Sequence, residues 1–159
     1  MTPKRITPYL TGLSQKNDGE NSLVEGNLCC CNSHEFKISF NGALHRNIFS
    51  NIYVAPENDR LALVAQCKKC GDSIQVFDST IDGYEKSISS IIEKEQLLSC
   101  KKCGNNNYSL HIKYEYPDMK ELIELGIEAP DTAFTWIWIS LECNCCGTKY
   151  KNFIDYDAT

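Results

Sequence analysis

Ten cysteines fall in 159 residues, and six of them form three Cys-x2-Cys pairs: Cys67 with Cys70, Cys100 with Cys103, and Cys143 with Cys146. Each pair is followed at once by a glycine, Gly71, Gly104 or Gly147. A glycine in that place lets the backbone turn tightly beneath two sulfurs held on one side of a loop. Two such turns brought face to face offer four thiolates in a tetrahedron, the arrangement a zinc ion takes at about 2.3 Å from each sulfur. Disulfides are the rival use of so many cysteines, and they require an oxidising compartment. Residues Met1 to Leu10 are polar, contain Pro3, Lys4, Arg5 and Pro8, and show no apolar segment of a secretory leader. No stretch approaches the roughly 18 apolar residues needed to cross a bilayer. The expected setting is therefore the cytoplasm, with no membrane, where cysteine clusters hold metal.

The pairs belong to a longer internal similarity. Aligning Cys31 with Cys103 places an aromatic five residues later in both copies, Phe36 and Tyr108, and an aliphatic seven later, Ile38 and Leu110. Leu61, Leu63 and Ala65 alternate before Cys67, as Ile137, Ile139 and Leu141 do before Cys143. Phe77 and Phe153 each lie seven residues past the last cysteine of their pair. Several coincidences in one register point to a duplication. Each half reads as cysteine turn, strand, connection, strand, cysteine turn, strand.

Period-two alternation and β-branched or aromatic enrichment predict strands at Phe36 to Phe40, Leu61 to Ala65, Ser109 to Tyr114 and Thr135 to Leu141. Tyr84, Ile88, Ile91 and Ile92 recur at helical spacing and predict a short amphipathic helix within Gly83 to Glu95. A second short helix is predicted over Asp118 to Leu125, capped by Asp118 and ended by Gly126. The fold class that follows is mainly β with short helices, small and metal-bound. The expected division is a mobile N-terminal tail (1–24), a first unit (25–80), a linker helix (81–98) and a second unit (99–159). Both units are antiparallel.

Two structural Zn2+ ions are expected. The second unit offers Cys100, Cys103, Cys143 and Cys146. The first offers Cys67 and Cys70 together with Cys29 and Cys31, because the residue aligned with Cys100 is Leu28 and a Cys-x-Cys turn must stand in. Asn32 replaces the usual glycine there, and asparagine tolerates left-handed backbone better than most residues. His34 is a rival ligand, although its aligned position is Asn106. Cys30 and Cys145 are surplus, each lying beside ligands and able to replace one. Iron could fill such a site in place of zinc, and Cys67 and Cys70 could instead join Cys100 and Cys103 across the units.

On these cysteine turns, the chain resembles the zinc-ribbon group with rubredoxin-like knuckles over most of residues 28 to 155. The resemblance implies fold and metal rather than one activity. Ribbons that assist polymerase cleavage carry an acidic pair at a hairpin tip. Neither Glu57 with Asp59 nor Asp118 with Glu121 matches that pattern, so these read as solvated carboxylates.

No nucleophile–base pair, phosphate loop or H-E-x-x-H helix accompanies the cysteines. Sites closed by four thiolates leave no position for water, so no enzyme is expected and no catalytic residue is assigned. What remains is binding. The chain carries 16 basic against 21 acidic residues, a net charge of −5. That balance suits a basic protein partner better than nucleic acid, whose phosphates need a basic face. The expectation is an acidic scaffold that binds a protein through its loops, in the manner of a bacterial immunity or adaptor protein that neutralises a basic toxin. The alternative is a nucleic-acid or transcription-associated module using Lys68, Lys69, Lys101 and Lys102. Tyr114, Tyr116, Phe134, Trp136 and Trp138 are expected to pack as core, with a recognition surface as the sharper reading. Tyr53 carries the same two readings.

Overall fold

Alternating apolar residues form the strands on which both cysteine clusters hang. The computed structural model describes residues 1–49, 51–91 and 94–159. Its strands in chain order are β1 (Leu10–Asp18), β2 (Asn21–Leu28), β3 (Phe36–Asn41), β4 (Ala43–Arg46), β5 (Ile52–Ala55), β6 (Ala62–Cys67), β7 (Ser73–Asp78), β8 (Gln96–Leu97), β9 (Tyr108–Tyr116), β10 (Trp136–Cys143) and β11 (Lys149–Asp157). One α-helix, α1 (Met119–Glu124), lies between β9 and β10. The four strands read from the sequence all form, each burying at least every second side chain. Helix α1 also forms where predicted: the Asp118 side chain accepts from the Lys120 N–H, and Gly126 follows with φ +66°.

The strands make one curled antiparallel sheet. Strands β1, β2, β9, β10 and β11 pair in that order on one side, and β8, β3, β6 and β7 on the other. The two sides join where Phe36 of β3 pairs with Tyr108 of β9. A separate hairpin, β4–β5, packs against β11. Beside the cysteine turns the pairings on the two sides match, and past a bulge they part by one residue, Leu63 pairing with Phe77 but Ile139 with Ile154. Phe36 lies opposite Cys67 and Tyr108 opposite Cys143, while Ala65 faces Ile74 and Leu141 faces Tyr150.

The curl closes over a single apolar interior fed by both halves. Phe40 meets Phe153 edge-on at 5.9 Å, and Phe77 contacts Phe134 and Tyr156 at 6.2 and 5.2 Å. Each of these contacts joins residues from opposite halves. A unit of this length buries a small share of its surface alone, and sharing one interior enlarges that share. No described helix is long and apolar enough to cross a membrane.

Three expectations change. Residues 1–24 are no tail: β1 and β2 form a hairpin around Gly19, and β2 pairs with β9 from Ser22 to Asn27. Upstream, Arg5 grips the fully buried Asp82 through both terminal guanidinium nitrogens, Nη1 to Oδ1 at 2.6 Å and Nη2 to Oδ2, and its Nε donates to the Gln75 carbonyl at 3.0 Å. The linker helix does not form over described residues 81–91 and 94–98, and Ile92 lies outside the described residues. Gly83, Tyr84 and Glu85 donate their N–H groups to Thr132, Phe134 and Ala158, so these donors are taken by tertiary pairing. Ile88 is 91% exposed and Ile91 51%, leaving an apolar stripe nothing to pack on. Finally, Trp136 and Trp138 sit on the outer face of β10, half-buried, whereas Tyr114, Tyr116 and Phe134 are core as expected.

Candidate metal centres

Three of the four cysteine turns share one backbone. In each, the first cysteine donates its N–H to the carbonyl five residues on (Asp72, Asn105 or Thr148), and the glycine donates back to the cysteine carbonyl at 2.8 Å. Gly71, Gly104 and Gly147 have φ of +83°, +77° and +76°, the left-handed region in which a side chain is strained. The N–H groups of Lys69 and Cys70 point at the Cys67 sulfur, and those of Lys102 and Cys103 at the Cys100 sulfur.

The fourth turn is built differently. Cys30 and Ser33 exchange both backbone hydrogen bonds, at 3.0 and 2.8 Å, around Cys31 and Asn32. Both central residues are left-handed, with φ +43° and +58°. This is a two-residue hairpin turn of the primed type. It aims the consecutive sulfurs of Cys30 and Cys31 at the facing pair.

The structure accordingly brings together Cys30, Cys31, Cys67 and Cys70 in one group, and Cys100, Cys103, Cys143 and Cys146 in the other. In the first, Sγ–Sγ separations are 3.6 Å for Cys30–Cys70 and Cys31–Cys67, and 3.9 Å for Cys30–Cys31. In the second, Cys100–Cys146 and Cys103–Cys143 are each 3.6 Å. Four sulfurs at about 2.3 Å from a central ion stand about 3.8 Å apart along a tetrahedral edge. A disulfide would need about 2.05 Å. The donor set fits a thiophilic ion, and each group could hold one.

The second group is the one expected, residue for residue. The first corrects one position: Cys30 stands where Cys29 was expected. Cys29 continues the β2 backbone and donates its N–H to the Tyr9 carbonyl at 2.7 Å, outside the group. His34 is also outside it; its Nδ1 lies 2.8 Å from the Leu28 carbonyl oxygen. Cys145 is exposed and outside the second group.

Burial opposes ionisation at Cys67 and Cys100, but the converging N–H groups win. They bring Cys67 down to about 7, and with the Tyr150 hydroxyl at 3.4 Å they bring Cys100 down to about 6. Burial holds Cys143 up at about 12 and Cys30 higher still, while the Cys70 thiol raises Cys31 to about 11. The Thr148 hydroxyl and N–H also bring Cys146 down. Cys67 in the first group and Cys100 and Cys146 in the second are thus the thiols most ready to ionise, and a cation must deprotonate Cys30, Cys31 and Cys143 as it binds.

Side-chain amides bind the two groups together, which the sequence did not suggest. Asn106 acts as a substitute strand, accepting from the Ile38 N–H at 2.9 Å and donating to the Ile38 carbonyl at 3.2 Å. Asn107 donates to Glu35, and Asn144 to the His34 carbonyl, at 2.9 and 3.3 Å. The run Asn105-Asn106-Asn107 was the visible signal, since asparagine pairs with backbone from either end of its amide. Compared with protein-family models, curated proteins and solved structures, the chain finds no significant match.

Proposed function

We propose that the protein is a non-enzymatic binding protein, stapled by two structural zinc ions, that recognises a protein partner in the cytoplasm. The observation that carries this is the completeness of both sulfur groups. Four thiols fill the four corners a zinc ion offers, so an ion held there has no open position for water or substrate. The two halves are read as duplicated zinc ribbons, and the matching strand pairings beside their cysteine turns support that reading. A zinc tetrathiolate carries two net negative charges. Two of them add to the −5 of the chain and bring the loaded protein to about −9. Such a charge draws a basic protein, as an immunity or adaptor protein neutralising a basic toxin would require.

The alternative, nucleic-acid binding through Lys68, Lys69, Lys101 and Lys102, gains less from the geometry. Lys69 Nζ donates to the Cys31 carbonyl at 3.0 Å and Lys68 Nζ to that of Asn106 at 3.4 Å, so two of the four are occupied at home. Purification of tagged protein from native lysate tests the proposal. One stoichiometric basic protein in the eluate is the expected result. Salt-sensitive retention on DNA or RNA, with no protein partner, would sink it.

A further inference from the structure

We propose that the outer face around Trp136 and Trp138 is a docking site for an arginine side chain of that partner; the inference rests on the protein-binding reading above. Alternation along β10 sends Ile137, Ile139 and Leu141 inward and leaves both indoles on the surface, half-buried. The rings stack at 5.5 Å and 11°. The Trp136 Nε1–H donates to Asp155 Oδ1 at 2.6 Å, which fixes the indole in place. This is a rigid aromatic shelf of the kind that anchors interfaces.

The shelf already takes a cation from within the chain. Lys113 Nζ stands 4.8 Å from the centre of the Trp138 ring. Trp136 is flanked by carboxylates instead. Sheet register sets Glu115 of β9 on one side of it and Asp157 of β11 on the other, with Asp155 bonded to its nitrogen. Among the described residues, none of the three pairs with a lysine, arginine or histidine within 4.0 Å. Their bonds are to neutral donors. Glu115 accepts from Asn21 and Thr135 at 3.4 and 3.2 Å, and Asp157 from the N–H and hydroxyl of Thr159 at 3.0 and 2.7 Å. Lys151 lines the same cleft as Lys113 and Trp138, so the lysines gather at the Trp138 end, and the three carboxylates leave the Trp136 end open to a further cation.

A guanidinium fits better than an ammonium. It is planar, lies flat on an indole and forks onto a carboxylate with two parallel N–H bonds. The partner group is therefore an arginine presented by a basic protein surface.

The only two tryptophans of the chain form this shelf, so all its indole emission reports on the site. Titration of the zinc-loaded protein with the peptide tri-arginine at low salt, read by tryptophan emission, tests the proposal. A saturable change is expected, at least about fivefold weaker with tri-lysine and absent with tri-glutamate. The double variant D155N/D157N keeps an acceptor for the Trp136 nitrogen and alters two exposed positions. It should weaken tri-arginine about tenfold while metal content and melting stay as in wild type. Equal binding of tri-lysine, unchanged binding by the double variant, or self-association that masks the face would each overturn the assignment. A lysate partner captured equally by wild type and D155N/D157N would overturn this site and leave the protein-binding reading standing. Capture of no partner would sink that reading alone, and the titration would still decide this one.

Discussion

One residue separates the first sulfur group from its expected form. Cys29 and Cys30 are neighbours, but only Cys30 starts the tight turn that faces Cys67 and Cys70. Cys30→Ser should therefore remove one metal ion per chain, while Cys29→Ser should keep both, as native mass spectrometry would register. Equal metal loss in the two variants would mean that the turn rearranges when an ion binds. The second group was legible because a Cys-x2-Cys-Gly knuckle has one backbone solution. The first was not, because three consecutive cysteines fit two turns, and spacing alone does not reveal that Cys31 is left-handed. His111 and Glu25 illustrate a smaller residue-scale effect. The imidazole bonded to Glu25 at 3.1 Å holds that carboxyl below its ordinary range. A depressed acid contributes stability above its unfolded pKa and loses it as pH falls through the folded one. His111→Ala should thus cost less than about 1 kcal/mol at neutral pH, and nothing measurable once the medium is acid enough to protonate Glu25.

At the scale of elements, β3, β6, β9 and β10 announced themselves by alternation, while β2 and β5, which also bury one face, did not. In β1 every side chain after Leu10 is exposed, so no apolar alternation marks it. The Asp18-Gly19 dipeptide was the local sign of its hairpin. The segment after Gly83 shows the reverse failure. Its isoleucines recur at helical spacing, yet Ile88 and Ile91 are exposed, and a helix so short does not stand unaided. What ties down the N-terminal segment is the Arg5–Asp82 pair. Asp82 is fully buried and also accepts from the Asp78 N–H at 2.9 Å. Arg5→Met leaves that carboxylate without its cation and should cost about 3 kcal/mol in denaturant unfolding. A loss below 1 kcal/mol would show that the clamp is incidental.

For the whole molecule, the shared interior matters more than the division into halves. Two units were expected, but Phe40, Phe77, Phe134 and Phe153 pack across them. Cys103→Ser should therefore lower the melting of the entire chain in one transition. A surviving first half with its own melt would contradict the single interior. Metal analysis of purified protein should give two zinc ions per chain, and chelation should remove both with one loss of near-ultraviolet circular dichroism.

Strand β7 ends one side of the sheet, and Arg5 lies along it, with Nε on the Gln75 carbonyl and Nη2 on that of Val76 at 3.5 Å. A terminal strand is a template on which another chain can grow. The arginine takes up acceptors that an incoming strand would need, so the same contact that anchors the first residues also guards against fibre formation. Loss of the N-terminal segment, by proteolysis or truncation, should then bare those acceptors, and light scattering of the shortened protein should show more self-association than that of the full chain.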